Sequence, residues 1–358
     1  MQALEVSLHL RRREHRVWLA CTRGARLETE ALRESLPVLS LDVSGYFHPG
    51  VIRRLRSFFV ANAVDILHSH LSKDLATLVP ALSFTGRRIP LLLSKRVGSG
   101  ISKRDPLHRL TYARVDRVLA VSSVIHRNVL ETTTVTPDRV ITLHDAIDTK
   151  RFSRRSLRSA IRPVSGIPGE RPIIGFVGRF SPGKGLEELL EAAALLRERH
   201  AAFHVVIVGE ASYGEEEYGR KIRGLRDALG LGEVVTFTGF RQDVPEVMAG
   251  FDIFAFPSHA ESFGVALIEA MALELPVVAT NCDGVLDIVV DGGTGLLVPP
   301  RKSSDLADAL GRLIGDPALR TALGQAARQR VELLFDREKQ MEHLEAIYRE
   351  LLASPPRP

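Results

Sequence analysis

Short apolar runs and segments of helical period alternate along almost the whole chain, which confines the sequence to an α/β fold on parallel sheets. In the front half the runs are Val17–Ala20, Val38–Leu41, Val64–His68, Leu91–Leu93, Val118–Val121 and Val140–Leu143. In the back half they are Ile173–Val177, His204–Val208, Val234–Phe237, Ile253–Phe256, Val277–Ala279 and Gly295–Val298. Helical segments such as Gly185–Arg199 and Ser303–Leu313 lie between them, and the Arg-, Ser-, Pro- and Gly-rich stretch Lys150–Arg171 breaks the pattern as an inter-domain linker does. At 358 residues the chain exceeds one ordinary core. Two Rossmann-like domains are predicted, residues 1–160 and 161–335, with a terminal helix in 336–358 returning toward the first. Two such domains facing each other leave a cleft, and ligands bind beyond the carboxyl ends of the strands.

Composition removes several classes of function. Hydrophobic residues make up 45% and charged residues 25%, as in a water-soluble globular protein. No run of 18 apolar residues is long enough to span a membrane, and the start lacks the layout of a secretory signal. Cys21 and Cys282 lie too far apart in sequence to build a disulfide framework, which predicts a reducing, cytoplasmic setting. The net charge of +5 divides into +13 over residues 1–160 and −8 over the rest. The basic half is expected to meet an anionic acceptor or the inner face of a membrane; a solvated surface of skewed composition is the plainer reading. Nucleic acid is not expected, because no basic stretch is interleaved with aromatics and no zinc-finger spacing occurs.

The segments that carry chemistry follow the strand runs. After Ile173–Val177 comes GRFSPGKG, Gly178–Gly185, which sets Arg179 and Lys184 at the start of a helix, an arrangement that binds anions. Its spacing approaches a nucleotide P-loop, but Gly185 stands where a Ser or Thr would hold magnesium. An ordinary surface turn is the plain alternative. After Ile253–Phe256 comes ESFGVALIEAMALELPVVAT, in which Glu261 and Glu269 flank the start of an otherwise apolar helix. The free amides at Phe263 and Gly264 are suited to an oxygen anion, and carboxylates suit vicinal sugar hydroxyls. A single Glu there would read as a surface charge; a pair does not. In front, DILHSHLSKD ends a strand with His68 and His70. His70 is an acid–base or ligand-binding candidate, with a structural hydrogen-bonded histidine as the equal alternative. The chain contains no Asp-x-Asp, so no dedicated metal site for a nucleotide diphosphate is expected, and no cofactor.

GRFSPGKG, FTGFRQDVPE, PSHAESFGVALIEAMALELPVVAT and DGGTGLLVPP, in this order, resemble the retaining glycosyltransferases of family four, and DILHSHLS, RVDRVLAVSSVIHRNVL and VITLHDAIDTKRF continue the resemblance more loosely in front. It implies a GT-B fold, two Rossmann-like domains across a cleft, and transfer from a UDP-, GDP- or ADP-sugar to an envelope acceptor such as lipopolysaccharide, a glycolipid or a polysaccharide precursor. By the same match Glu261 contacts the transferred sugar, Glu269 the ribose, and the amides of Phe263 and Gly264 sugar or phosphate oxygens. Arg179 and Lys184 neutralise the donor diphosphate. Gly239 and Phe240 border the nucleobase, and His70 lies near the acceptor. Lys95 and Arg96 stand where many members carry a Thr-Val-His strand end, and they mark an acceptor or phosphate region. Glu274 and Leu275 replace a usual Gly, Asp287 a usual Glu, and HDAID a usual NGID. The family opens with a strand and a Gly-rich loop; here the sequence enters at the following helix, so a gap or exposed sheet edge is expected. A nucleotide-sugar epimerase and a silent sugar-nucleotide-binding protein are the alternative functions.

Overall fold

In the computed structural model the described residues are 2–43, 48–83, 85–154, 157, 171–199 and 201–353, so most of the expected Lys150–Arg171 linker lies outside them. The chain forms two compact units, residues 1–143 with 338–358, and residues 144–337. Residues 144–154 fall in the second unit, where Ile147 donates to the Phe335 carbonyl at 3.0 Å and accepts from the Arg337 amide at 3.0 Å.

The first unit holds β1 (Leu19–Thr22), β2 (Val38–Leu41), β3 (Leu67–Ser69), β4 (Leu91–Lys95), β5 (Arg117–Ala120) and β6 (Val140–Thr142). They form two separate parallel sheets, β1-β2 and β3-β4-β5-β6. β4 is buried along its whole length, as a central strand between helices must be. The helix Arg337–Ala353 places Met341, Leu344, Ile347 and Leu351 against Leu92 and Leu119 of the four-stranded sheet. Glu345 of that helix accepts from Arg13 at 2.8 Å and contacts His15 at 3.0 Å, and these partners lower its carboxyl pKa to about 2, the Arg13 hydrogen bond foremost.

The second unit is one six-stranded parallel sheet of β7 (Ile173–Val177), β8 (His204–Val208), β9 (Val235–Gly239), β10 (Ile253–Phe256), β11 (Val277–Thr280) and β12 (Leu296–Val298). Its order is β12-β11-β10-β7-β8-β9, so the chain first winds outward from β7 through β8 and β9, then returns to β10 on β7's other side. The helix Leu186–Glu198 buries Leu186, Leu189, Leu190, Ala193 and Leu196, a stripe of helical period, on a core that includes Ile174 and Val205. In a sheet of this winding the crevice for ligands opens between β7 and β10, where the order reverses.

Candidate functional site

In the second unit the candidate residues gather at that reversal. The loop after β7 runs from Gly178 to Gly185, and the loop after its neighbour β10 from Pro257 to Gly264. The two loops touch. The His259 amide donates to the Gly183 carbonyl at 2.8 Å, and Gly185 (φ +73°) packs so close that a Cβ there would overlap the Pro257 carbonyl. Only glycine satisfies both that backbone angle and that approach. The result is a direct ion pair between the two motifs: Lys184 Nζ lies 2.5 Å from Glu261 Oε2, with the side chains 25% and 19% exposed. Both charges therefore face a partly wet crevice rather than the core.

Each partner is held by a second layer. The Glu261 amide donates to Asp283 Oδ2 at 3.3 Å and its carbonyl accepts from Gly284 at 2.9 Å, which fixes the loop against the segment after β11. One turn into the helix that follows Lys184, Glu188 Oε1 meets His259 Nε2 at 2.8 Å, while its Oε2 is buried with no partner. Arg179 is exposed and makes no side-chain hydrogen bond or ion pair among the described residues.

The expected amides sit at a helix start. Gly264 is the residue before the helix Val265–Ala272, with φ +124°, and a Cβ there would come 3.3 Å from the Phe256 ring. Phe263 is buried and stacks on His144 (centroids 5.5 Å, 17° between planes), with Phe335 edge-on at 5.6 Å. Its ring thus anchors the loop and leaves only the backbone for a ligand. Glu269 is half-buried one turn further along. At the end of β9, Gly239 has φ +73° and Phe240 is exposed, with its amide donating to Glu210 Oε1 at 2.9 Å.

In the first unit, His70, Lys95 and Arg96 gather at the carboxyl ends of the adjacent strands β3 and β4. His70 stacks on His68 at 4.4 Å, and His68 is held by Tyr348 at 2.7 Å and Ser94 at 2.8 Å. Burial, and then the nearby Arg96, lowers the His70 pKa to about 4; burial also takes His68 well below its usual value. Both are neutral at pH 7, and the buried Nδ1 of His70 has no partner. A cavity of about 20 Å³ beside them, lined also by Gln2 and Ser94, has room for about one water. Lys95 is buried and reaches Ser72 Oγ at 3.4 Å; burial, and then Lys103, lowers its pKa to about 8. Arg96 bonds Gln2. Among the described residues no three His, Cys, Asp or Glu side chains cluster as metal ligands do.

Sequence reasoning missed Glu188, His259 and Glu210. Glu188 carried one usable signal, its place as an acidic residue in the first turn of the helix that follows the Gly178–Gly185 loop. His259 and Glu210 are brought in by folding of distant loops and carried none.

Two family models match. Residues 1–151 match Glycosyltransferase Family 4, and residues 158–330 match Glycosyl transferases group 1. The chain is 32% identical over 327 residues to a D-inositol 3-phosphate glycosyltransferase of Saccharomonospora viridis, covering 86% of this chain and 75% of that protein. Among solved structures, a glycosyltransferase from Rickettsia africae superposes with a TM-score of 0.89 at 21% identity, over 98% of this chain and 94% of the other. The Anabaena protein HepE in complex with UDP and glucose gives a TM-score of 0.79 at 22% identity, over 97% and 95%.

Proposed function

The chain belongs to glycosyltransferase family four and is a glycosyltransferase of GT-B fold, and from that premise we propose that it transfers a sugar from a UDP-sugar to a phosphate-bearing acceptor, with retention at the anomeric carbon. The observation that carries the donor half is the Lys184–Glu261 pair at the β7–β10 reversal. A cation beside a carboxylate in one half-exposed crevice fits a ligand with two ends, an anionic diphosphate and a neutral sugar rich in hydroxyls. As the bond from the sugar to the diphosphate breaks, negative charge grows on the leaving phosphate, and Lys184 with Arg179 stabilises it. Glu261 then accepts hydrogen bonds from the sugar, Glu269 from the ribose, and the amides at Phe263 and Gly264 donate to sugar or phosphate oxygens. These fixed cations carry the charge in the proposed reaction without a metal. HepE, of the same fold, was solved with UDP and glucose, which supports a uridine nucleotide over the GDP and ADP forms.

The acceptor half rests on Lys95 and Arg96, two cations at the ends of β4 beside neutral His70. They suit a phosphate on the acceptor. The relative's D-inositol 3-phosphate is one such molecule, and a phosphorylated envelope precursor such as lipopolysaccharide core is another. The test is a matched set of assays: UDP-, GDP- and ADP-sugar binding by calorimetry, then transfer to inositol phosphate and to inositol. UDP-sugars should bind, and the phosphorylated acceptor should be used in preference. Equal use of inositol and its phosphate would remove the phosphate assignment, and binding of GDP- or ADP-sugars alone would remove the uridine one.

A further inference from the structure

The segment that carries Lys184 is loose by composition. Gly183 and Gly185 flank the lysine, both at positive φ, +85° and +73°. Two glycines leave the backbone on either side of a residue free to turn. Yet Lys184 is set against Glu261, which belongs to a different loop. Fixing it there takes a restraint from outside the segment.

One residue grips the segment on both sides of the lysine. The His259 amide donates to the Gly183 carbonyl at 2.8 Å, and His259 Nε2 lies 2.8 Å from Glu188 Oε1. A carboxylate only accepts, so the imidazole is the donor. Gly183 and Glu188 enclose Lys184 between them in the sequence. Glu188 stands in the first turn of the helix Leu186–Glu198, which buries Leu186, Leu189 and Leu190 in the core. The far end of the segment is thereby tied to a rigid element. His259 also lies two residues before Glu261 on the same loop. It therefore sets the spacing of the two loops where the ion pair forms.

A carboxylate at position 188 is not the stable choice. Both side chains of the pair are mostly buried, and Glu188 Oε2 has no partner. A buried oxygen left unpaired destabilises a fold. A negative charge beside a segment that binds an anion also repels that anion. Stability and charge alone would therefore favour an uncharged side chain; what Glu188 supplies against them is its hydrogen bond to His259. We propose that Glu188 and His259 are positioning residues for the donor: the clasp between them holds residues 183–188 so that Lys184 stands where the diphosphate binds. The proposal rests on the reading that Lys184 takes the diphosphate, and it assigns neither member of the clasp a contact with the donor.

The test measures UDP affinity of the full chain by titration calorimetry, with the thermal midpoint alongside. The variants are Glu188→Gln, Glu188→Leu and His259→Ala, each alone and combined with Lys184→Ala. Glu188→Gln removes the charge but keeps an oxygen that accepts from the imidazole, so UDP should bind as tightly as to the parent or tighter. Glu188→Leu removes charge and acceptor together. Charge alone would tighten binding, whereas loss of the clasp should weaken it by roughly five- to tenfold. His259→Ala should weaken it to a similar extent. Combined with Lys184→Ala, both losses should shrink to less than about twofold, because the residue that the clasp positions is gone. The Tm of Glu188→Leu should stay within about 3 °C of the parent or rise. Unchanged UDP affinity in Glu188→Leu, an equal loss in Glu188→Gln, an equal loss with and without Lys184, or a loss that comes with a larger fall in Tm would each overturn the proposal. Unchanged affinity in Lys184→Ala alone would overturn the donor reading and this one with it. A loss in Lys184→Ala without one in Glu188→Leu would overturn this one only.

Discussion

At the scale of residues, the Lys184–Glu261 pair makes a sharper forecast than either residue alone. In the crevice each charge is paired with the other at 2.5 Å. Lys184→Ala removes a charge-assisted contact to the diphosphate, so UDP affinity should fall by roughly 10- to 100-fold, the equivalent of about 1.5–3 kcal/mol. Glu261→Ala releases Lys184 and removes a contact to the sugar only. UDP should then bind as tightly as before or tighter, while kcat falls. Titration calorimetry with UDP on both variants decides the matter; loss of UDP affinity in Glu261→Ala equal to that in Lys184→Ala would end this division of roles. A second residue tests the backbone. Glu274 is exposed with φ +57°, two residues past the helix Val265–Ala272, where the Leu275 amide closes the helix on the Ala270 carbonyl at 3.1 Å. That is the left-handed position after a helix that favours glycine. Glu274→Gly should stabilise the protein by about 0.5–1 kcal/mol, read as a higher denaturation midpoint with an unchanged m-value. Glycine's place here was legible in the sequence as a departure from the family pattern; its conformational reason was not, since a backbone angle leaves no mark on the residue that tolerates it.

At the scale of elements, the apolar runs located the strands, but strand ends followed the runs only in part. Ile173–Val177, His204–Val208 and Ile253–Phe256 are central strands, and their ends coincide with their apolar runs. β1 and β3 have one neighbour each, and both lie nearer the carboxyl end than the runs Val17–Ala20 and Val64–His68 indicate. Register on the partner decides there: Leu19 pairs with Val38 and Leu67 with Leu91, so the ladder starts where the partner starts. The loops after strands could likewise be placed from the sequence, whereas the contact of Lys184 with Glu261, 77 positions apart, could not. β4 gives the element-scale prediction. Its last residue, Lys95, titrates near pH 8 in the fold against an ordinary 10.5. If Lys95 grips the acceptor phosphate, the acceptor KM should rise as pH passes through about 8, and Lys95→Arg, charged throughout, should flatten that limb. Stability should move the other way. Between about pH 8 and 10.5 the unfolded chain holds more protons at this lysine than the folded one, so its destabilising effect fades as pH rises across that window. Lys95→Met should lose that gain. A KM that is flat across pH 7–9 in the parent would separate Lys95 from the acceptor.

At the scale of the molecule, charge is divided by unit. Residues 1–143 with 338–358 hold 25 Lys and Arg against 16 Asp and Glu, a net +9, and residues 144–337 hold 23 against 27, a net −4. No helix among the described residues is long and apolar enough to cross a membrane. The first unit nevertheless exposes apolar side chains within one basic stretch: Val97, Ile101, Leu107 and Leu110 are well exposed, Ile101 at 76%, beside Lys103, Arg104 and Arg109. Leu107 and Leu110 are three apart on the helix Pro106–Ala113 and so share a face. Cations that attract anionic headgroups, beside apolar side chains that can enter the interface, are what a peripheral contact needs, and we propose that this stretch makes one. Each basic residue near an anionic surface contributes about 1 kcal/mol, so Lys103→Ala with Arg104→Ala should weaken binding to anionic vesicles by roughly 30-fold. Ile101→Asp should weaken it further at the same salt. Rising salt should release the parent from these vesicles, because the attraction is screened within about 10 Å at 0.1 M, and neutral vesicles should bind it poorly at every salt concentration. Sedimentation across a salt series reads all of this at once. Equal binding to neutral and anionic vesicles, or indifference to the double substitution, would leave the basic unit as a solvated surface and the acceptor phosphate as the sole use of its charge.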